Sequence, residues 1–428
     1  MRGCIKQKVR GKIGMNVISK FLMIFCVVIF SASNSYALMF SNVLFKNVKN
    51  SKIILVDKGS ATLYFLSVDN DTYTVENQVS NIYLGEANGD KQYEGDKKTP
   101  EGVYFITSYI DGETLPELYG AGAFPLNYPN IVDKIYNKNG YGIWIHGIDE
   151  NSDKKFTQGC VAAENGFIKF LKDKGVIGIP VVITDNVSIV DELGYQSELT
   201  YWLNYLNDYI EAWQNNDFES YSSYYHIDFK DQKGVKYSNY LQNKQKLFKM
   251  FPLKRIKVSD IKILKANDKK LVFDFRQLYC ANNIVTEGYK RLYLANEFDT
   301  LKIIAEEFKP SDYFILEEEI MKFVGDWKSS WQSQKIEKYS SFYSDAFTSG
   351  IFNRDTWLQD KKEKFLKAQT IDIKIKDLGY KIISPTKYLV TFSQVYSSGV
   401  YSDVGIKELL LEGCPGEFKI IRETWRSN

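Results

Sequence analysis

A tandem repeat in the second half of the chain limits the fold more than any other feature. Residues 213–225 reappear as residues 331–343, an offset of 118. Residues 302–306 reappear as residues 419–423, an offset of 117. A drift of one residue over a whole copy indicates two copies of one folded unit of about 115 residues.

Each copy shows the pattern of an α+β domain. A helix and a short helical segment come first, and several long runs rich in Val, Ile, Leu, Phe and Tyr follow, as expected for strands. We therefore predict two tandem α+β domains, over residues 197–312 and 313–428. Neither copy carries a pattern of acids, histidines or cysteines that indicates a second active site. His226 is predicted to be a surface or capping residue, and four aromatic residues are predicted to lie in the cores: Tyr221, Tyr224, Tyr339 and Phe342.

The region from residue 51 to residue 190 is predicted to be mainly β. Its apolar runs are short, partly alternating, rich in Val, Ile, Tyr and Phe, and bounded by Gly, Asn, Asp and Pro. One helix is predicted within it, because Phe167, Ile168 and Leu171 have helical spacing and Gly175 supplies a stop.

The N-terminus has the pattern of a secretory signal peptide. Six basic residues precede the apolar run Phe21 to Phe30, and Ser35-Tyr36-Ala37 forms a small-residue cleavage site. An uncleaved membrane anchor is the alternative, although ten apolar residues are half of the roughly 20 that span a bilayer. We expect a signal peptide over residues 1–37, an N-terminal segment over residues 38–50, and export, to a periplasm or with retention at the membrane.

Charge and cysteine content narrow the classes of partner. Removal of the six basic residues would change the formal net charge from +2 to −4, which gives no electrostatic case for binding nucleic acid. Cleavage would leave Cys160, Cys280 and Cys414 in an oxidising compartment. Three is an odd number, so at least one thiol is unpaired or bonded to another chain, and the sequence leaves open whether Cys280 and Cys414 pair. The cysteines lie too far apart for a zinc motif, and we expect neither a metal nor a cofactor.

The strongest candidate for chemistry is a cysteine and a histidine in the β domain. His146 follows an apolar run, and Cys160 comes fourteen residues later, beyond a polar loop. A hairpin between them would bring a nucleophilic thiol and its base to one edge of a sheet. Gly159 allows close approach of the backbone, and a helix starting near Glu164 would favour a thiolate and an oxyanion. The structural alternative is a hairpin that contains an inert, buried cysteine.

Two motifs of this domain resemble the YkuD-type L,D-transpeptidases of bacterial cell walls. His146-Gly147 and Thr157-Gln158-Gly159-Cys160 match the catalytic motif of that family, and residues 95–104, GDKKTPEGVY, match a second motif. The resemblance implies that Cys160 attacks the carbonyl after the diaminopimelate-type residue of a wall tetrapeptide and releases D-Ala. His146 would take the thiol proton, the Gly147 carbonyl would orient the imidazole, and the N–H groups of Gly159 and Cys160 would hold the oxyanion.

Other residues receive binding roles from the same resemblance. Thr157, Tyr128, Tyr141 and Gly142 are candidates for contact with the peptidoglycan stem, although a turn or core position is an equal alternative for Tyr128 and for Tyr141-Gly142.

One departure from the family bears on the second half of the reaction. The commonest pattern continues Cys-x-Arg, whereas Val161-Ala162 follow Cys160 here. The chain is in this respect similar to cell-shape L,D-carboxypeptidases that carry a tail resembling nuclear transport factor 2 (NTF2), and the repeat units resemble such domains. We favour hydrolysis over crosslinking. The alternatives are formation of 3-3 crosslinks, attachment or detachment of a wall-linked protein, and a non-catalytic wall-binding scaffold whose first domain only recognises the stem peptide. The tandem tail domains are also candidates for binding another copy of the chain or a wall protein.

Overall fold

The computed structural model describes residues 39–399 and 401–427, so the predicted signal peptide lies outside the described residues. Within them, no helix is long and apolar enough to cross a membrane. The N-terminal segment and β domain contain β1 (Met39–Phe40), β2 (Val43–Lys46), β3 (Ser51–Asp57), β4 (Thr62–Asp69), β5 (Thr72–Ser80), β6 (Gly102–Phe105), β7 (Ile110–Asp111), β8 (Gly122–Pro125), α1 (Ile131–Ile135), β9 (Trp144–His146), β10 (Val161–Ala162), α2 (Asn165–Lys174), β11 (Pro180–Thr184) and β12 (Ile189–Val190).

The two tail domains repeat one order of elements. The first contains α3 (Glu192–Gln214), α4 (Phe218–Ser223), β13 (Tyr225–Asp231), α5 (Tyr237–Met250), β14 (Lys254–Asn267), β15 (Lys270–Ala281), β16 (Ile284–Glu297) and β17 (Thr300–Pro310). The second contains α6 (Ile315–Gln332), α7 (Ile336–Ser340), β18 (Tyr343–Ser349), β19 (Phe352–Asn353), α8 (Arg354–Lys367), β20 (Asp372–Ser384), β21 (Lys387–Ser397), β22 (Ser402–Glu412) and β23 (Lys419–Ser427).

The first domain is built from two sheets with a core between them. One sheet has the strand order β5-β4-β3-β11-β6 and the other has the order β10-β9-β8-β7. Alternate side chains of β3 and β4 point into this core, where they meet the inward side chains of the second sheet and of α2. The mainly β prediction is confirmed.

Helix α2 closes one side of this core, as the sequence predicts. Phe167, Ile168 and Leu171 are buried on one face of it, and Gly175 ends it in the left-handed conformation with a φ of 63°. The helical spacing therefore predicted this helix correctly, and the glycine predicted where it ends.

The tail domains confirm the repeat. Their sheets have the orders β13-β17-β16-β15-β14 and β18-β23-β22-β21-β20. Equivalent positions are 118 residues apart up to the start of β13 and β18, and 117 residues apart from β15 and β21 onward. Tyr221 and Tyr339 are completely buried, while Tyr224 and Phe342 pack against the two cores from the side. The prediction for His226 is wrong as regards the surface, because the residue is buried and its Nδ1 accepts from the backbone N–H of Asp228 at 3.0 Å.

The N-terminal segment joins the first tail domain to the β domain. Strand β2 extends the first tail sheet beyond β14, in a register that pairs Val43 with Leu264 and Lys46 with Ile261. Val43 and Phe45 then lie in an apolar layer between the outer face of this sheet and β3 of the β domain. These two domains therefore share a buried interface.

A disulfide joins the two tail domains. Cys280 at the end of β15 bonds to Cys414, which lies between β22 and β23, across a sequence separation of 134 residues. This settles the pairing that the sequence left open. Cys160 is the free cysteine of the described residues.

Candidate active site

Parallel pairing of β9 with β10 brings His146 and Cys160 together. Ile145 pairs with Val161 and His146 with Ala162, so the two strands run in the same direction. The expected hairpin is therefore wrong, because the polar loop crosses back before β10 begins. Alternation along a strand places Cys160 on the face of Ala162, which is the face of His146.

His146 is held as a neutral base. Its Nδ1 lies 2.6 Å from the carbonyl oxygen of Gly147, and because a carbonyl oxygen only accepts, Nδ1 carries the proton and Nε2 keeps its lone pair. Burial lowers the pKa of His146, while the Gly147 hydrogen bond acts in the opposite direction. This is the contact that the family resemblance implies for Gly147, and it leaves Nε2 available to accept a proton.

The thiol of Cys160 is protonated in the resting site. It donates to the carbonyl oxygen of Gly142 at 3.2 Å. Burial raises its pKa to about 11, against the opposing effects of a backbone hydrogen bond with Trp144 and the charge of Lys91. The resting pair is thus a thiol and a neutral imidazole, and attack requires proton transfer to His146.

Tyr119 lies beside both residues and was missed in the sequence. Its ring packs edge-on against His146, with 5.0 Å between ring centroids. Burial raises the pKa of its phenol, and a thiolate at Cys160 would raise it further. The signal that the sequence offered was the neighbouring Gly120, since a glycine can mark a close approach of two backbone segments. Here its φ is 52°, and a Cβ on it would lie 2.6 Å from the backbone nitrogen of Ile148. Tyr119 thus lies where it could cover the reacting pair.

Asn165, the first residue of α2, fixes the loops on both sides of His146. Its side-chain oxygen accepts from the backbone N–H groups of Ala121 at 2.8 Å and Ile148 at 3.2 Å. Its side-chain nitrogen donates to the Ile148 carbonyl at 3.0 Å. The sequence showed only the helix that begins here, since the partners of Asn165 lie up to 44 residues away.

The hydroxyl of Thr157 shapes the turn at the cysteine. It donates to the Cys160 carbonyl at 2.8 Å and accepts from the Gly159 N–H at 3.0 Å. Both of these hydrogen bonds lie within the turn, so the structure gives Thr157 a supporting role there, and its predicted contact with substrate stays a prediction. The oxyanion role of Gly159 stays a prediction, and it requires its N–H to exchange this partner.

Gly159 is needed for a contact that the sequence did not identify. Its φ is 130°, and a Cβ at this position would lie 2.7 Å from the carbonyl oxygen of Lys98. Lys98 belongs to the GDKKTPEGVY motif, so the two motifs of the resemblance pack directly against each other.

The predicted substrate contacts divide into two groups. Tyr128 is a correction, because it is a buried core residue whose hydroxyl donates to the Asn139 carbonyl at 3.0 Å and whose ring packs against Tyr104. Tyr141 is 78% exposed, next to the Gly142 carbonyl that receives the thiol. Tyr141 and Gly142 therefore remain candidates for contact with a bound peptide.

Comparison with known families identifies the β domain and both tail domains. Residues 51–183 match the YkuD family, described as the L,D-transpeptidase catalytic domain. Residues 202–307 and 319–424 each match the family described as the Cds6 C-terminal NTF2-like domain. Among curated proteins, no match is found.

Two solved structures are similar to much of the chain. Bd1075 of Bdellovibrio bacteriovorus is 29% identical with a TM-score of 0.58, and the match covers 65% of this chain and 100% of that protein. The helical cell shape determining protein Pgp2 of Campylobacter jejuni is 28% identical with a TM-score of 0.52, and the match covers 63% of this chain and 95% of Pgp2.

The fold and the site together define a class, that of peptidoglycan-modifying proteins with a His-Cys site on a β domain. The first domain belongs to the YkuD L,D-transpeptidase family, and both tail domains are NTF2-like. The predictions of family and fold class are confirmed.

Proposed function

We propose that the chain is a peptidoglycan L,D-carboxypeptidase that removes D-Ala from tetrapeptide stems. The observation that carries the proposal is the hydrogen bond from His146 to the Gly147 carbonyl, which leaves Nε2 free to accept a proton on the strand next to the Cys160 thiol. A binding module needs neither a thiol nor an oriented base.

The chemistry follows from these protonation states. His146 Nε2 takes the thiol proton as the sulfur of Cys160 attacks the carbonyl carbon of the peptide bond between the diaminopimelate-type residue and D-Ala. The C–N bond to D-Ala breaks, and the amine leaves with the proton from His146. A water then loses a proton to His146 and attacks the thioester, which yields a tripeptide carboxylate and returns the proton to the thiol.

The surroundings of the cysteine favour water as the acceptor. The position at which the family commonly has arginine holds Ala162, which is buried and pairs with Tyr83. The sequence from residue 39 to residue 190 contains no arginine at all. A second stem would therefore lack the planar, two-pronged cation that proteins commonly use to hold a carboxylate.

Mass spectrometry of a disaccharide tetrapeptide incubated with the mature chain tests the proposal. We expect a tripeptide product that is lost in Cys160→Ala and in His146→Gln, with His226→Gln as the matched histidine control. A crosslinked dimer would establish transpeptidation instead, and transfer to a wall-linked protein would require that protein as acceptor. Absence of any product that depends on Cys160 would contradict the enzyme and favour a binding scaffold.

We also propose that the chain is exported to the periplasm. The pattern of residues 1–37 and the disulfide between Cys280 and Cys414 support this, because such bonds persist in oxidising compartments. The intact mass of protein from a periplasmic fraction should correspond to a chain that starts at Leu38 and has one disulfide. A cytoplasmic chain with residue 1 and free thiols would contradict export.

A further inference from the structure

The loop that carries the second sequence motif supports the cysteine directly. This segment, residues 89–101, is called the motif loop below, and it lies between β5 and β6. Thr99 Oγ1 donates to the Cys160 carbonyl at 3.4 Å and accepts from the Gly85 N–H at 2.8 Å. Together with the close approach of Lys98 to Gly159, these contacts make the position of the thiol depend on the motif loop.

A charged anchor holds the start of the motif loop to its end. Asp90 Oδ1 accepts from the backbone N–H of Glu101 at 2.9 Å, and Asp90 Oδ2 accepts from Lys138 and Lys270 at 2.7 Å each. Lys270 also donates to the Glu101 carbonyl at 3.0 Å. Burial acts to raise the pKa of Asp90, but Lys270 and Lys138 hold it below its ordinary value, so this carboxylate is ionised at neutral pH.

Lys270 is the contribution of another domain to this anchor. It is the first residue of β15 in the first tail domain, 180 residues from Asp90 in sequence. In the second tail domain the corresponding residue, 117 positions later, is Lys387, which pairs at 3.2 Å with Glu412 where both side chains are more than 40% exposed. An NTF2-like domain therefore does not need a partly buried anchor of this kind at this position in order to fold.

The anchor adjoins the cation that acts on the thiol. Lys91 follows Asp90 and forms a buried ion pair with Asp96 at 2.7 Å. Its Cε lies 3.3 Å from the position that a Cβ on Gly140 would occupy, next to the 140–142 turn whose Gly142 carbonyl receives the thiol. A shift of Asp90 would thus move Lys91 and the turn that binds Sγ.

We propose that Lys270 is a positioning residue through which the first tail domain holds the motif loop and so sets the reactivity of Cys160. The proposal rests on the proposed function for its meaning in catalysis. The contact between Lys270 and Asp90 completes a series of contacts that runs from the first tail domain through the motif loop to the cysteine turn. A shift of the first tail domain relative to the β domain would therefore change the reactivity of Cys160.

The test compares Lys270→Met with Lys270→Arg and with the matched control Lys387→Met, all in the mature chain with its disulfide intact. The first readout is the rate of Cys160 alkylation by iodoacetamide between pH 7 and pH 10, which needs no peptidoglycan. The second is kcat and KM for tripeptide formation, and unfolding curves report whether each variant is folded.

We expect Lys270→Met to be alkylated more slowly than the wild type at each pH and to lose about 10- to 100-fold in kcat with KM little changed, since small misplacements of a reacting group cost rates of this order. Lys270→Arg should retain most of both rates because it keeps the charge, and Lys387→Met should match the wild type.

Two further outcomes separate this proposal from the proposed function. If Lys270→Met is less stable but has the alkylation profile and kcat of Lys387→Met, Lys270 is only a structural residue and the proposal is wrong. If no protein forms tripeptide but the alkylation rates still differ as expected, the proposed function fails while the positioning role stands.

Discussion

The two tail domains have one fold but different neighbours. In the first, the outward residues Val272 and Ile304 are buried beneath the β domain. At the corresponding places in the second, 117 positions later, Leu389 and Ile421 are only partly buried. Docking of the β domain is therefore a property of the outer surface, which can change while the inward side chains preserve the fold.

The edges of the two sheets differ in the same way. Strand β14 is covered by β2, whereas β20 is the last strand of its sheet in the described part of the chain. Lys374, Lys376 and Lys381 are exposed along β20, as is common where an edge must avoid pairing with other chains. The first domain thus has the features of a docked support, and the second those of a surface that faces solvent.

The largest expected effect on stability concerns a buried ion pair that the two tail domains share. Glu306 is buried 2.5 Å from Lys290, and the corresponding Glu423 is buried 2.5 Å from Lys407. Glu306→Gln and Glu423→Gln should each reduce the free energy of unfolding of their domain by about 3–5 kcal/mol, because a buried lysine loses its partner. Chemical denaturation measures both. A large effect in one domain alone would show that the copies differ internally as well as outside.

Loss of the disulfide should come next in size and should act on the connection between the copies. The bond closes 134 residues of chain, and removal of such a bond costs about 2–4 kcal/mol. Cys280→Ser with Cys414→Ser should lower the denaturation midpoint of the second domain, which lacks the support of the β domain, more than that of the first. Tryptophan fluorescence in variants that retain only Trp202 or only Trp327 would separate the two. Equal losses would contradict this asymmetry.

A matched pair of apolar truncations isolates the docked surface. Ile304→Ala removes buried contacts with the β domain, whereas Ile421→Ala affects a partly buried residue at the same place in the second sheet. We expect the first variant to lose about 2 kcal/mol more in free energy of unfolding than the second. Similar losses would mean that the outer face of the second domain is covered in solution.

Local sequence patterns predicted much of this molecule. The repeat offset, the helix that ends at Gly175 and the two motifs around Cys160 all depend on residues close together in sequence. The errors and omissions depend on distant ones. Nothing local distinguishes a parallel β9-β10 pair from a hairpin, or shows that β2 joins a sheet more than 200 residues away.

The same limit applies to the site. Tyr128 lies among turn residues, and only the fold shows that its ring is buried against Tyr104. The contact between Lys270 and Asp90 joins a strand of one domain to a loop of another, and neither residue belongs to the pattern of the catalytic motif. The motif identified the reacting groups, whereas their support required the tertiary structure.

The smallest expected effect is absent at neutral pH and becomes visible only in acid. It concerns the buried glutamate that the two tail domains share. Burial acts to raise the pKa of Glu306, yet Lys290 and Lys244 lower it from 4.5 to about 2, and the pKa of Glu423 is also lowered. A carboxyl whose pKa is depressed on folding stabilises the native state above its unfolded pKa, and this contribution is lost as the pH falls through the folded pKa.

We therefore expect no effect of this titration between pH 6 and pH 8 and a loss of stability in both tail domains as the pH falls from about 4.5 toward about 2. Urea unfolding at a series of pH values measures it. Glu306→Gln, already less stable, should show a shallower acid dependence in the first domain, with the second domain of the same protein as the internal control. An unchanged slope in that variant would mean that other carboxyls, such as Asp96 with its pKa of about 2 in the motif loop, determine the acid sensitivity of the described chain.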